Sequence, residues 1–287
     1  MEQNSSPKNP LKTAQKKSLK NSQETDRKKF WSWVWLLGGT AYFTIPLIAS
    51  FDFSLRAEKN VLGFKAYASV FQDPNFWGSF TFSLGAAIAT IFLSWLLIVP
   101  TTYWVQLRLP KLRPWMELVT LLPFVIPAVV LVFGLIRTYS TTLLNTRQGG
   151  WVLLTAGYVV LSFPYMYRAI DTGMRAIDVR TLTEAAQSLG ASWPLIVVRV
   201  IFPNLKVALL NGAFLTFAIV MGEFTIASLL AQPAFGPYMT LLSSSKVYEP
   251  AAIALISFAL TWGAIGIVQV LGDQVQRGKP KPLADPR

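Results

Sequence analysis

The chain contains no cysteine and no histidine among its 287 residues. Together these absences exclude disulfides, thiol chemistry, Cys/His metal sites and imidazole acid–base catalysis. Charge is scarce as well. Asp, Glu, Lys and Arg make up 14% of the residues, against about 25% in an ordinary soluble domain. A phosphate-binding G-x-x-x-x-G-K-[ST] loop is also missing, and the one Gly-Lys pair, Gly278 and Lys279, runs straight into Pro280. The chain therefore has no ATPase motif of its own, and any ATP-Mg it depends on would be bound by another subunit. No internal repeat of fixed period is visible.

What is present is apolar: 53% of the chain, gathered in long blocks. Charge-free runs extend over Phe30–Phe51, Pro74–Leu107, Leu118–Ile136, Gln148–Tyr167 and Pro250–Gly272. Between Lys206 and Lys246 the single charge is Glu223, which predicts a further span over roughly 205–230 and then a loop dipping back. Each run reaches the roughly 20 residues a helix needs to cross about 30 Å of hydrocarbon. Transmembrane strands would be shorter and would alternate. The expectation is an all-α membrane protein with six transmembrane helices, residues 30–272, between a basic tail (1–29) and a short C-terminal tail (273–287).

The net charge is +12, from 26 Lys and Arg against 14 Asp and Glu. The basic residues flank the apolar blocks, which indicates a membrane surface rather than nucleic acid as the partner. With both termini in the cytoplasm, the inside segments hold 20 Lys and Arg and the outside segments hold 6. That bias sets the expected orientation in a bacterial inner membrane. Trp31, Trp33, Trp35, Trp77, Trp104, Trp115 and Trp151 fall near the expected span ends, where amphipathic rings prefer to lie. Residues 1–29 are rich in Lys, Ser, Asn and Gln and are expected to be unstructured beside anionic lipid. The first span is expected to be an uncleaved anchor.

The segment between the fourth and fifth spans is the longest cytoplasmic connection. Thr181 and Glu184 are spaced as a capping box. Leu182, Ala185, Ala186 and Leu189 form an i, i+3, i+4, i+7 stripe. Gly190 suits the left-handed residue that ends a helix, and Ser192 with Pro194 suits the start of a second short helix. Such a helical hairpin either packs beneath its own bundle or docks a cytoplasmic partner.

Glu184, Ala185, Ala186, Gly190 and Pro203 match E-A-A-x3-G-x9-I-x-L-P at five positions, with Val200 and Phe202 replacing Ile and Leu. This stretch resembles the "EAA" loop of ATP-binding cassette (ABC) importer permeases. Ser162, Phe163, Pro164 and Tyr165 before the loop, and Leu122 to Pro127 in the third span, also resemble a subgroup that imports polyamines, ferric iron, sulfate, molybdate or phosphonates. The resemblance implies a half-transporter paired with a second permease subunit, identical or related. It also implies a cytoplasmic ABC ATPase dimer docked on the loop and an extracytoplasmic substrate-binding protein. Glu184 would face the ATPase, and Gly190 would set the turn between the loop's two helices. No cofactor, metal ligand or catalytic residue is expected in this chain.

Glu223, a carboxylate in an apolar region, costs on the order of 2.5–3.5 kcal/mol at mid-membrane on insertion scales. It reads either as a pathway or gate residue or as a structural carboxylate. As a pathway residue it tilts the cargo towards a cation, a polyamine or ferric ion. Pro123 and Pro127 are the expected bend along the pathway. Arg113 and Glu117 read as interface anchors, and Asp171, Arg175 and Asp178 as a solvated extension of the fourth span. Ala231 to Pro237 is expected to break the chain and start a short outer helix. Two other functions compete. A stand-alone secondary transporter or channel would leave the loop unexplained. An intramembrane enzyme would need paired carboxylates or His and Cys.

Overall fold

The computed structural model describes residues 10–58, 61–139, 141, 142 and 146–277. The helices are α1 (Pro10–Leu55), α2 (Lys65–Gln72), α3 (Pro74–Arg108), α4 (Arg113–Val125), α5 (Ala128–Tyr139), α6 (Arg147–Arg175), α7 (Val179–Ser188), α8 (Trp193–Ile196), α9 (Phe202–Asn204), α10 (Lys206–Gly222), α11 (Thr225–Leu229), α12 (Phe235–Ser245) and α13 (Glu249–Arg277). Among the described residues there is no strand, only an isolated bridge between Glu58 and Val61.

Three helical stretches are long and apolar enough to cross a membrane by length and composition, 29–55, 74–108 and 149–175. They coincide with the first, second and fourth expected spans. The third and fifth expected spans are broken rather than straight. Residues 110–125 meet 128–139 at 91°, and residues 193–204 meet 206–222 at 79°. Counting each bent pair as one span gives up to five. The sixth expected span falls on α13, whose apolar part, among the residues searched, is Glu249–Gly263.

The 79° break falls at Leu205, at φ −94°, ψ 7°, and the 91° break has a local cause. Pro127 denies the helix an N–H and drives the residue before it out of the helical region. Ile126 accordingly sits at φ −87°, ψ 117°. In the fifth span the helix ends at Gly222, and Glu223 is extended at φ −74°, ψ 125°. Residues 225–229 are therefore a separate helix and not the end of a span over 205–230.

The centre of the bundle is the mutual packing of α3, α6 and α10. Small residues let α6 and α10 approach closely, as membrane helices require when lipid supplies no hydrophobic drive. A Cβ at Gly173 would lie 2.4 Å from the Ala208 Cβ, and one at Gly212 would lie 2.6 Å from the Met166 sulfur. Across α3 and α6, the buried Ser94 and Ser162 hydroxyls pair at 2.7 Å. Among the described residues the helix α1 packs mainly on α13 and α2, with Trp31, Trp33 and Trp35 exposed.

Residues 10–29, expected to be unstructured, are the leading turns of α1. Between Pro10 and Gly38 this stretch holds neither Gly nor Pro. Its Lys, Gln, Glu, Leu and Ala are good helix formers, and an apolar helix already nucleated beyond it removes the cost of starting a new one. Residues 1–9 and 278–287 lie outside the described residues.

Candidate coupling loop and adjoining groove

The segment α7–α9 folds as a capped hairpin held to the bundle along one face. Asp178 caps α7: its carboxylate accepts from the Thr181 N–H at 3.0 Å and from the Thr181 hydroxyl at 2.6 Å. These bonds hold the Asp178 carboxyl below the usual carboxylate range. The expected box between Thr181 and Glu184 therefore does not form. The cap lies one turn earlier, and Glu184 pairs instead with Arg180 at 2.9 Å. At the other end Gly190 takes φ +80°. Its N–H reaches the Gln187 carbonyl at 2.8 Å, and the Ala191 N–H reaches the Ala186 carbonyl at 3.0 Å. Those are the two closing bonds of a Schellman turn. Ser192 occupies the cap position of α8, but its side chain makes no capping bond.

The buried face of α7 is Val179, Thr183 and Ala186, with Leu182 half-buried. Ala185 and Leu189 point away, so the expected stripe is rotated. The buried face joins Ile196, Val197, Ile201 and Leu205 in one apolar core with Tyr103 of α3 and Ile170 and Met174 of α6. Within it the Thr183 hydroxyl donates to the Val179 carbonyl at 2.7 Å. That leaves the Tyr103 hydroxyl as donor across the 3.1 Å contact to Thr183. The opposite face exposes Arg180, Glu184, Gln187 and Leu189, and Leu189 is 89% exposed. After Ile196 the chain runs through a π-helical turn, Val197–Ile201, into α9, which begins at Phe202 and Pro203.

Beside the loop a charged cluster joins α3, α4 and α6. The Asp171 carboxylate is buried, and it accepts from Gln106 at 2.9 Å, from Arg113 at 3.2 Å and from Arg175. Glu117 bridges Arg113 and Arg175, each at 3.5 Å. Asp171 is thus no solvated residue; burial demands the partners that Arg113 and Arg175 provide.

A groove of about 680 Å³ opens between α4, α6 and the start of α10. Pro203 lines it, together with Phe124, Arg168, Lys206 and Asn211. Pro127 sits at the bend and Pro123 lies inside α4; neither lines this groove. A cavity of about 330 Å³ adjoins it through Pro164, Arg168 and Thr172, and contains Tyr167, Glu117 and Asp171.

Glu223 is far from both, at the other end of α10. Its carboxylate accepts from the N–H groups of Ile226 at 2.8 Å and Ala227 at 3.1 Å, and from the Tyr158 hydroxyl at 3.2 Å. It caps α11. Here Gly236 lets α12 close over it, since a Cβ at that position would lie 2.3 Å from the Glu223 carbonyl oxygen. The expected outer helix is α12, packed in through Phe235, Tyr238 and Leu242, with Tyr238 donating to Asp73 at 2.9 Å.

The loop residues Glu184, Ala185, Ala186 and Gly190 lie together, Pro203 lies in the neighbouring groove, and Glu223 stands apart. The roles of Asp178 and Tyr103 were missed. Asp178 carried a readable signal, an acidic residue three before a threonine at a helix start. Tyr103 carried none, because its partner lies 80 residues away.

A relative from Haloferax volcanii named as a molybdenum ABC transporter permease protein is 32% identical over 184 residues, 61% of this chain and 67% of its own. A Salmonella typhimurium protein named for 2-aminoethylphosphonate transport is 25% identical over 53% of this chain and 58% of its own. One from Chlorokybus atmophyticus named as a sulfate transport system permease is 27% identical over 73% and 76%. The chain thus spans little more than half the length of the phosphonate relative. Among solved structures, a bacterial ABC transporter involved in importing the acidic polysaccharide alginate shares the fold. Its TM-score is 0.64 at 14% identity, covering 91% of this chain and 100% of that one. Residues 108–275, which include the loop, the groove and Glu223, match the family described as binding-protein-dependent transport system inner membrane component, and the chain belongs to that family.

Proposed function

We propose that this chain forms the translocation pathway of an ATP-driven ABC importer and couples to a separate ATPase dimer through the loop around 181–203. The observation that carries this reading is the two-faced loop. One face is fixed to α3 and α6 by the Tyr103–Thr183 bond and the surrounding apolar core. The other offers Arg180, Glu184, Gln187 and Leu189 to a partner. A loop whose first helix is capped at both ends, bonded to α3 and packed against α6, transmits displacement instead of absorbing it.

In this reading both termini and α7–α9 face the cytoplasm, and α12 faces the extracytoplasmic binding protein. A second permease subunit, the same or homologous, completes the pathway. The cargo is a small charged solute. The polyamine or ferric-ion expectation rested on Glu223, and that carboxylate is already occupied by two N–H groups and a tyrosine. The bend at Pro127 supports a role for Pro123 and Pro127 in shaping the pathway.

The test is co-expression with the genomically adjacent ATPase. Wild-type chain is expected to retain the ATPase through purification, and Gly190→Asp and Glu184→Ala to lose it or its stimulated hydrolysis. Equal behaviour of all three, with no ATPase bound, would return the loop to a packed hairpin and favour a stand-alone transporter.

A further inference from the structure

We infer that α4 is a movable strut, latched to α6 through Asp171 and Glu117, and that its release carries displacement of the coupling loop to the bundle. This rests on the importer reading and names the part that the loop would move.

The helix α4 is loosely held. Thr120 is its one buried residue, and that hydroxyl bonds within α4 itself, to the carbonyls of Met116 and Glu117. Met116 touches the apolar core, and Phe124 meets the Tyr165 ring edge-on. Both ends of the strut are jointed. Leu109, before the short turn that leads into it, sits at φ −132°, ψ 51°, and Ile126 after it is extended. Beneath it the contact with α6 is hollow: Leu121 borders both the groove of about 680 Å³ and the cavity of about 330 Å³. What closes the gap at the inner end is charge. Arg113 donates to the buried Asp171 of α6, and Glu117 faces Arg113 and Arg175.

The hollow contains a donor and an acceptor that do not meet. The Tyr167 hydroxyl, in a residue 3% exposed, has no hydrogen-bond partner. The Glu117 carboxylate lines the same cavity and stands 3.5 Å from each arginine, beyond ordinary hydrogen-bond length. An unpaired buried O–H is costly. Seating α4 onto α6 fills the cavity and lets Tyr167 donate to Glu117, so a second position of the strut satisfies groups that the latched one leaves open. The trigger lies next to the latch. Arg175 is the last residue of α6, and Asp178, three residues on, is the cap of α7. A push on the loop reaches Arg175 first, and weakening its hold on Asp171 and Glu117 shifts the balance between the two positions.

The experiment places Leu121→Cys in a chain with no other cysteine. The complex with the adjacent ATPase and binding protein is held in nanodiscs, and labelling by a water-soluble maleimide is read on this chain. Trapping the ATPase with ATP and vanadate is expected to slow labelling several-fold as α4 seats. Two variants should then move the resting rate in opposite directions. Glu117→Gln breaks the ion pairs but keeps an acceptor for Tyr167, so resting labelling should fall towards the trapped rate. Tyr167→Phe removes the bond made only in the seated position, so labelling should stay fast even when trapped, with no loss of melting temperature. ATPase co-purification should be unchanged in both. A wild-type rate indifferent to trapping in a complex that hydrolyses ATP overturns the inference. So do variants that shift the rate the same way or not at all, or a lower melting temperature in Tyr167→Phe. Failure of the wild type to bind the ATPase would instead overturn the importer reading itself.

Discussion

Glu184 and Glu223 are carboxylates near opposite ends of the same bundle, and their surroundings divide their roles. Glu184 is exposed, and its carboxylate pairs with the exposed guanidinium of Arg180, one turn away. Nothing in the fold depends on it. Glu223 is half-buried and accepts three hydrogen bonds, two from the backbone of α11 and one from Tyr158 of α6. The fold around α11 and α12 depends on it. Three of the roughly four acceptor sites of the Glu223 carboxylate are taken up inside the fold, which supports the structural reading of that residue. An acidic residue on a capped, anchored helix that its own protein ignores is available to another protein.

The sharpest disturbance of the Glu223 end should come from Gly236→Ala. The new methyl would meet backbone atoms at 2.3 and 3.1 Å, which no rotamer change relieves. A loss of about 3 kcal/mol or more should appear as poor yield and a collapsed melting transition in detergent. Glu223→Ala comes next. It removes the α11 cap and strands the Tyr158 hydroxyl, for about 2–4 kcal/mol. Glu223→Gln, which keeps one acceptor oxygen, should lose less. Wild-type melting in Glu223→Ala would remove its structural role and reopen the pathway reading.

At the loop end the effects shrink and change in kind. Tyr103→Phe should cost about 1 kcal/mol, but it should also weaken stimulation of the ATPase, because it frees the loop from α3. Glu184→Ala should leave the melting temperature unchanged, since exposed pairs add little, while ATPase retention falls. The smallest effect is a pH dependence at Asp178. Its folded carboxyl lies below its unfolded value. Its contribution is therefore complete above the unfolded carboxylate range and is lost as pH falls through the folded value. Asp178→Asn should flatten that acid limb.

The same contrast separates what the sequence revealed from what it hid. The apolar blocks and the left-handed Gly190 were legible because each depends on residues adjacent in the chain. The break at Pro127 was half legible: proline announced a bend, while its angle of 91°, with α5 packed against α11 and α6, depends on residues distant in the chain. The helical start of α1 was misjudged because composition speaks to burial and not to the extension of a helix already formed. The Thr181 box failed by one turn because Asp178, a stronger cap, lay upstream.

The most direct test uses the absence of native cysteine. Ser188→Cys at the end of α7 and Ser243→Cys on α12, both exposed, give single reactive thiols at the two ends in an otherwise unreactive chain. A bifunctional reagent applied to membranes containing the adjacent ATPase and binding protein should link Ser188→Cys to the ATPase and never Ser243→Cys, and ATP should change the yield. Cross-linking of the ATPase from Ser243→Cys, or from neither position, would contradict the account.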